Sequence, residues 1–259
     1  MRYVKQYQAC HSPAHHQELC IMQHTRTLTL LIIAALTALT ACNAQTNNKP
    51  VQAKTRQEKR LVANNLATRM PVPQGYKRVN VAEGSFAHFL RNLPLKPAGS
   101  DLHYYNGQVK ERKYAGVVVD MDFGKNANEQ CADAIIFLRA SYLWKTRQYA
   151  KINFNFTNGF KAEYAKWAQG YRIRNNKAWV KTQKADYGYQ SFRKYLNLVF
   201  QYAGTASLSQ ELKPIGRCWA ADIQAGDVII KGGFPGHAEM VVDVAENEKG
   251  ERVVLLAQS

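Results

Sequence analysis

One α+β domain, an antiparallel sheet with packed helices, is the fold class this sequence predicts. Three observations carry that prediction. The chain has 259 residues, the length of one domain or two small ones. Apolar residues recur at helical spacing in two stretches, 128–149 and 191–202. The C-terminal end reads as three strands, the last two facing each other across an acidic turn. A hydrophobic share of 46% and a charged share of 21% exclude a disordered chain. With only 16 Gly and 8 Pro, a collagen-like or low-complexity chain is excluded too.

From Ser85 to Asn92 a short helix is expected, stopped by Pro94 and Pro97. The run GVVVDMDF, Gly116 to Phe123, reads as a strand. A helix from about Asn128 to Tyr149 follows, with Ile135, Leu138 and Tyr142 on its apolar face. Ile152, Phe154 and Phe156 alternate with polar residues, the period of a half-buried strand. Phe160 to Trp167 reads as a helix and Tyr171 to Ile173 as a strand. Phe192, Tyr195, Leu196 and Val199 share one side of a helix over Ser191–Tyr202, which Gly204 is expected to stop. Strands are expected at Val228–Ile230, Ala238–Val244 and Arg252–Gln258.

Upstream, the sequence is read as an address and not as fold. From Met22 it runs through Arg26 and an apolar stretch, Leu28 to Leu39, into Leu39-Thr40-Ala41-Cys42. A basic start, a short apolar core and small residues before a cut describe a secretory signal peptide over residues 22–41. That stretch is about a dozen residues, too short to span a bilayer, which takes roughly 20. Leu39 to Cys42 resembles the bacterial lipobox, which would make Cys42 the first mature residue and its lipid anchor. Asn43 after that cysteine points to the outer membrane, facing the periplasm. Residues 1–21 precede a self-sufficient signal and are read as an over-extended gene start. Residues 42–70 are polar and read as a flexible tether. Pro71-Val72-Pro73 and Gly75 open the domain, 71–259.

The net charge is +16, from 35 Lys+Arg against 19 Asp+Glu, which favours an anionic partner. Removing residues 1–41, with Arg2, Lys5, Arg26 and Glu18, lowers it to +14. Export sets nucleic acid aside. The expected partners are the membrane, through Cys42, and peptidoglycan.

Beside Cys42, that processing leaves two cysteines, Cys131 and Cys218, and three histidines, His88, His103 and His237. Cys131 falls in the first turn of a predicted helix, where unpaired N–H groups and the helix dipole favour thiolate. The same N–H groups can hold the oxyanion of an acyl-transfer intermediate. His237 follows Gly232-Gly233-Phe234-Pro235-Gly236 and opens a strand, the best-placed candidate base. With the final turn centred near Glu248, Gln258 falls opposite Glu239, diagonally across from the imidazole and within reach to orient it. A one-residue slip would put Ser259 there instead. Asp243, six positions along, is too far.

These residues resemble a bacterial family of secreted proteins and lipoproteins, the domain of unknown function 4846 family. The resemblance rests on Gln130-Cys131-Ala132-Asp133-Ala134, Asn153 to Thr157 with Gly159 to Tyr164, Ser191 to Leu196, and Pro235-Gly236-His237-Ala238. It covers the chain from about Pro71 and implies no activity. It also implies further chain beyond Ser259, so a C-terminally shortened domain is expected. A looser resemblance is to the NlpC-type papain-like cysteine peptidases, in the order Cys131, Gly226-Asp227, His237. It implies a papain-like domain that cuts peptidoglycan-type amide bonds, with Cys131 and His237 as catalytic residues, to which the hairpin register adds Gln258.

Other readings stay open. Cys131 can be a core thiol or bridge to Cys218. Asp120 and Asp122 with His88, His103 and His237 form a conceivable metal set without ligand-like spacing, and no metal or cofactor is implied. No G-x-S-x-G elbow marks a serine hydrolase. Tyr164, Trp167, Tyr171 and Trp179 are the candidate binding aromatics, lining a groove for sugar rings. The expected function is a lipid-anchored envelope cysteine amidase or peptidase. The alternative is a non-catalytic lipoprotein that binds wall polymer or a partner protein.

Overall fold

A computed structural model describes residues 3–5, 8–9, 20–23, 64–103, 108–109, 116–122, 131–215 and 219–259. Cys42 and Cys218 lie outside the described residues. The fold is α+β, with antiparallel pairing throughout its sheets.

Its spine is three consecutive strands: β11 (Val228–Lys231), β12 (His237–Asn247) and β13 (Arg252–Gln258). The β12–β13 hairpin runs in register from Met240↔Ala257 to Glu246↔Arg252, with a bulge between Val241 and Asp243. β4 (Tyr76–Arg78) adds to the far end of β12. β1 (Tyr3–Lys5) and β2 (Gln8–Ala9) pair with β13, and β3 (Cys20–Gln23) pairs with β11, all three from the segment the sequence reading sets apart. β5 (Gly116–Val117) and β10 (Lys213–Pro214) complete its nine strands. Only the first two residues of the expected Gly116–Phe123 strand join the sheet; Val119 makes an isolated bridge to Leu95.

The folded region starts before Pro71. α1 (Leu66–Arg69) is capped by the Asn65 side chain, which accepts from Thr68 N–H at 3.0 Å. Leu66 and Met70 are buried in the core, so residues 64–70 belong to the fold and not to a tether. Two apolar residues in a polar stretch leave no periodic signal to read. α2 (Phe86–Arg91) falls within the expected Ser85–Asn92 helix and is capped by the Ser85 side chain.

α3 (Cys131–Lys145) is the central helix, with ten of its fifteen residues buried. A helix buried on most of its circumference has no single apolar face. One side, with Ile135 and Leu138, packs on the sheet through Ala238, Met240, Val242, Leu255 and Ala257. Ile136, Phe137, Ala140 and Leu143 on its other side face a second, largely aromatic core. That core joins α5 (Tyr189–Tyr202) to β6 (Asn153–Asn155), β7 (Lys161–Glu163) and α4 (Tyr164–Ala168). The expected Phe160–Trp167 helix is thus half strand, because Lys161–Glu163 pair with Asn153–Asn155. Gly204 does not end α5 but precedes α6 (Thr205–Glu211), whose first turn Ser207 caps. The opposite sheet face, with Val241, Val244, Val254 and Leu256, packs on Ile223 in a third core. Beyond α4, β8 (Tyr171–Arg174) and β9 (Ala178–Lys181) form a separate hairpin.

Among the described residues, no helix is long and apolar enough to cross a membrane.

Candidate functional site

Packing α3 against β12 brings Cys131 to the start of that strand. Its thiol is half-buried and free, and the backbone N–H groups of Ala238, Ala132 and Cys131 itself lie where they favour its ionised form. Two of those donors belong to the first turn of α3, where N–H groups lack carbonyl partners within the helix. The third is the residue after His237. Burial nonetheless pushes the thiol above its ordinary value, outweighing the three donors, and Asp133 adds to the rise. The sequence argument from the helix start therefore gave the wrong direction: the helix end is present, but desolvation wins, and the resting group is a neutral thiol.

The C-terminal hairpin assembles the other half of the site. Met240↔Ala257, carried one step further, sets Glu239 level with Gln258. Successive strand side chains alternate between faces. His237, Glu239 and Gln258 thus share one face, and His237 Nε2 lies 3.2 Å from Gln258 Oε1. Glu239 Oε1 stands 3.6 Å from the same nitrogen. Sequence reasoning placed Gln258 in this position but missed Glu239 as a second neighbour. The signal for it was available, since residues two apart on a strand share a face.

The same alternation sends Ala238 and Met240 to the face that α3 covers. Cys131 therefore meets β12 through the Ala238 N–H, at the strand's end, and the imidazole stands one residue away on the other face.

Asp243 does not serve the histidine. It is fully buried beyond the bulge, held by Arg78 Nε and Arg91 Nη2, each at 2.7 Å. That pair of contacts ties β12 to β4 and α2. Asp227, at the Gly226-Asp227 step before β11, is also buried, and its Oδ2 accepts from Gln224 N–H at 2.7 Å. Burial raises its carboxyl to about 7.

The aromatic candidates divide. Tyr164 and Trp167 are core residues and line no groove. Tyr164 is fully buried and its hydroxyl accepts from Trp144 Nε1 at 3.1 Å; Trp167 Nε1 donates to Ser191 O at 3.0 Å. Burial pushes the Tyr164 hydroxyl up to about 12. α5 closes over both, a long-range contact that periodicity within 160–167 could not reveal. Tyr171 and Trp179 are half-buried on the β8–β9 hairpin, beneath Lys181 (4.9 Å) and Lys166 (5.9 Å) respectively. Among the described residues, no three His, Cys, Asp or Glu come together as metal ligands.

Residues 66–259 match the family model for a domain of unknown function, number 4846. No curated protein matches the chain, and no solved structure does.

Proposed function

The chain belongs to the domain of unknown function 4846 family, whose name assigns no chemistry, and from its own geometry we propose a cysteine-dependent amide hydrolase of the cell envelope. Cys131 is the nucleophile, His237 the base and Gln258 the group that orients it. The observation that carries this reading is the 3.2 Å contact between His237 Nε2 and Gln258 Oε1. An amide oxygen can only accept, so Nε2 carries the proton and Nδ1 is the nitrogen that acts as base.

Because burial keeps the resting thiol neutral, the proton must leave during attack. Nδ1 takes it as sulfur adds to the substrate carbonyl, and the Cys131 and Ala132 N–H groups face the oxyanion. Collapse expels the amine, which leaves with the proton from the imidazolium, and water then hydrolyses the thioester. The mechanism requires the imidazole to close over the end of β12 toward the thiol. His237 can make that movement, being exposed and the first residue of its strand.

The substrate class is the peptide amide of peptidoglycan, reached by a domain tethered through lipid on Cys42. The test is release of free amino groups from purified peptidoglycan. The protein is expected to release them and the Cys131→Ala variant is not; full release by the variant overturns the reading.

One observation favours a second reading, a non-catalytic lipoprotein that binds an anionic wall polymer. The β8–β9 hairpin and its exit hold Arg172, Arg174, Lys177, Lys181 and Lys184 and no acidic residue between 171 and 185. This reading expects cosedimentation with cell wall that survives Cys131→Ala and His237→Ala and weakens as salt rises.

A further inference from the structure

The loop between β11 and β12, residues 232–236, presents an aromatic ring to water beside the candidate base. Phe234 at its apex is 84% exposed, the most exposed large apolar side chain among the described residues. Two residues, Pro235 and Gly236, separate it from His237, and the pair Lys231↔His237 closes the loop beneath it.

This loop is fixed in place. A Cβ on Gly236 would stand 2.0 Å from Thr205 Oγ1, and one on Gly232 would stand 2.2 Å from Ser209 Oγ. Those contacts exclude any side chain and lay the loop against α6. Thr205 Oγ1 also donates to Gly233 O at 3.1 Å. A ring held in water on a pinned support loses little freedom when it is covered, the condition under which an aromatic contributes most to binding.

We propose that Phe234 is a specificity-determining residue, the wall against which a substrate packs a bulky apolar or ring-bearing group next to the scissile amide. This rests on the reading of Cys131 as nucleophile. Its chemical content is a preference for amides flanked by such a group over amides flanked by glycine alone, since a lone exposed ring discriminates by apolar area.

Three alkylating probes separate this proposal from the reading beneath it: iodoacetamide, N-acetyl-Gly-Gly chloromethyl ketone and N-acetyl-Phe-Gly chloromethyl ketone. Each forms a thioether at Cys131 with loss of halide, and labelling is followed by mass spectrometry. The expected result is that the Phe-Gly ketone labels the wild-type protein about tenfold faster than the Gly-Gly ketone. Phe234→Ala abolishes that preference and leaves the iodoacetamide rate unchanged, and Phe234→Trp retains the preference. A wild-type protein without the preference, or a preference that survives Phe234→Ala, overturns the role of Phe234 while leaving Cys131 as nucleophile. Failure of all three probes to label Cys131 overturns both.

Discussion

Asp227 makes the stability of this domain depend on pH in a direction opposite to that of most carboxylates. Its side chain is 4% exposed, accepts a backbone hydrogen bond from Gln224 N–H, and has no cationic partner among the described residues. Burial raises the carboxyl from 3.8 to about 7 in the folded protein. Below about pH 4 both folded and unfolded chains hold the proton. Between pH 4 and 7 the folded chain keeps it and the unfolded chain has lost it, so stability falls as pH rises. Above pH 7 both have lost it, and the folded protein carries a buried carboxylate. At about 1.4 kcal/mol per pH unit, this amounts to a loss of about 4 kcal/mol across the window. Asp227→Asn keeps an oxygen for Gln224 N–H and removes the charge. Urea unfolding at pH 5 and pH 8 reads the effect directly. The variant is expected to be the more stable protein at pH 8 and to show a shallower fall between the two pH values. A remaining slope comes from Glu211, which burial also raises to about 7. An Asp227→Asn protein no more stable than wild type at pH 8, with the same fall, would refute the argument.

Removing Asp243, by contrast, is destabilising. Asp243→Ala leaves Arg78 and Arg91 without their shared carboxylate and costs about 3–5 kcal/mol, read as a lowered urea midpoint. The two arginines are partly exposed, which puts the cost at the lower end of that range. Gly236→Ala brings a methyl within 2.0 Å of Thr205 Oγ1 and within 2.6 and 2.9 Å of the Gly233 and Lys231 carbonyl oxygens and is expected to lower the thermal midpoint, and pairing it with Thr205→Ala recovers only the part of the loss due to the hydroxyl. An additive double variant would show that the contact is not what confines the loop.

The α+β class and the C-terminal hairpin were legible because local pattern and topology agree there. Two apolar runs, Ala238–Val244 and Arg252–Gln258, with one short turn between, leave few registers, and the register alone puts Gln258 near His237. The bulge at Val241–Asp243 carries no such pattern, so the sequence could not foresee that Asp243 would serve two arginines brought from β4 and α2. Tyr164 and Trp167 misled for a related reason. An aromatic at a helix period looks alike in a groove and in a core until the helix that covers it is known, and here that helix is α5. Cys131 was located correctly in the first turn of α3, but the direction of its acidity depends on how deeply α3 sinks against β12. That depth is a tertiary quantity. Asn65 and Leu66 were read as tether because a four-residue helix has too few positions to show a period.

The central claim is that His237 takes the proton of a neutral Cys131 thiol, and the pH dependence of Cys131 alkylation tests it most directly. Iodoacetamide labelling, mapped by mass spectrometry, is followed from pH 6 to pH 10 in the wild-type protein and in His237→Ala. A base that removes the proton during attack speeds the reaction where the thiol is neutral and adds little once hydroxide has ionised it. The account predicts that His237→Ala slows labelling at least tenfold at pH 7 and that the two proteins converge toward pH 10. Superimposed profiles for wild type and His237→Ala across the whole range would contradict it.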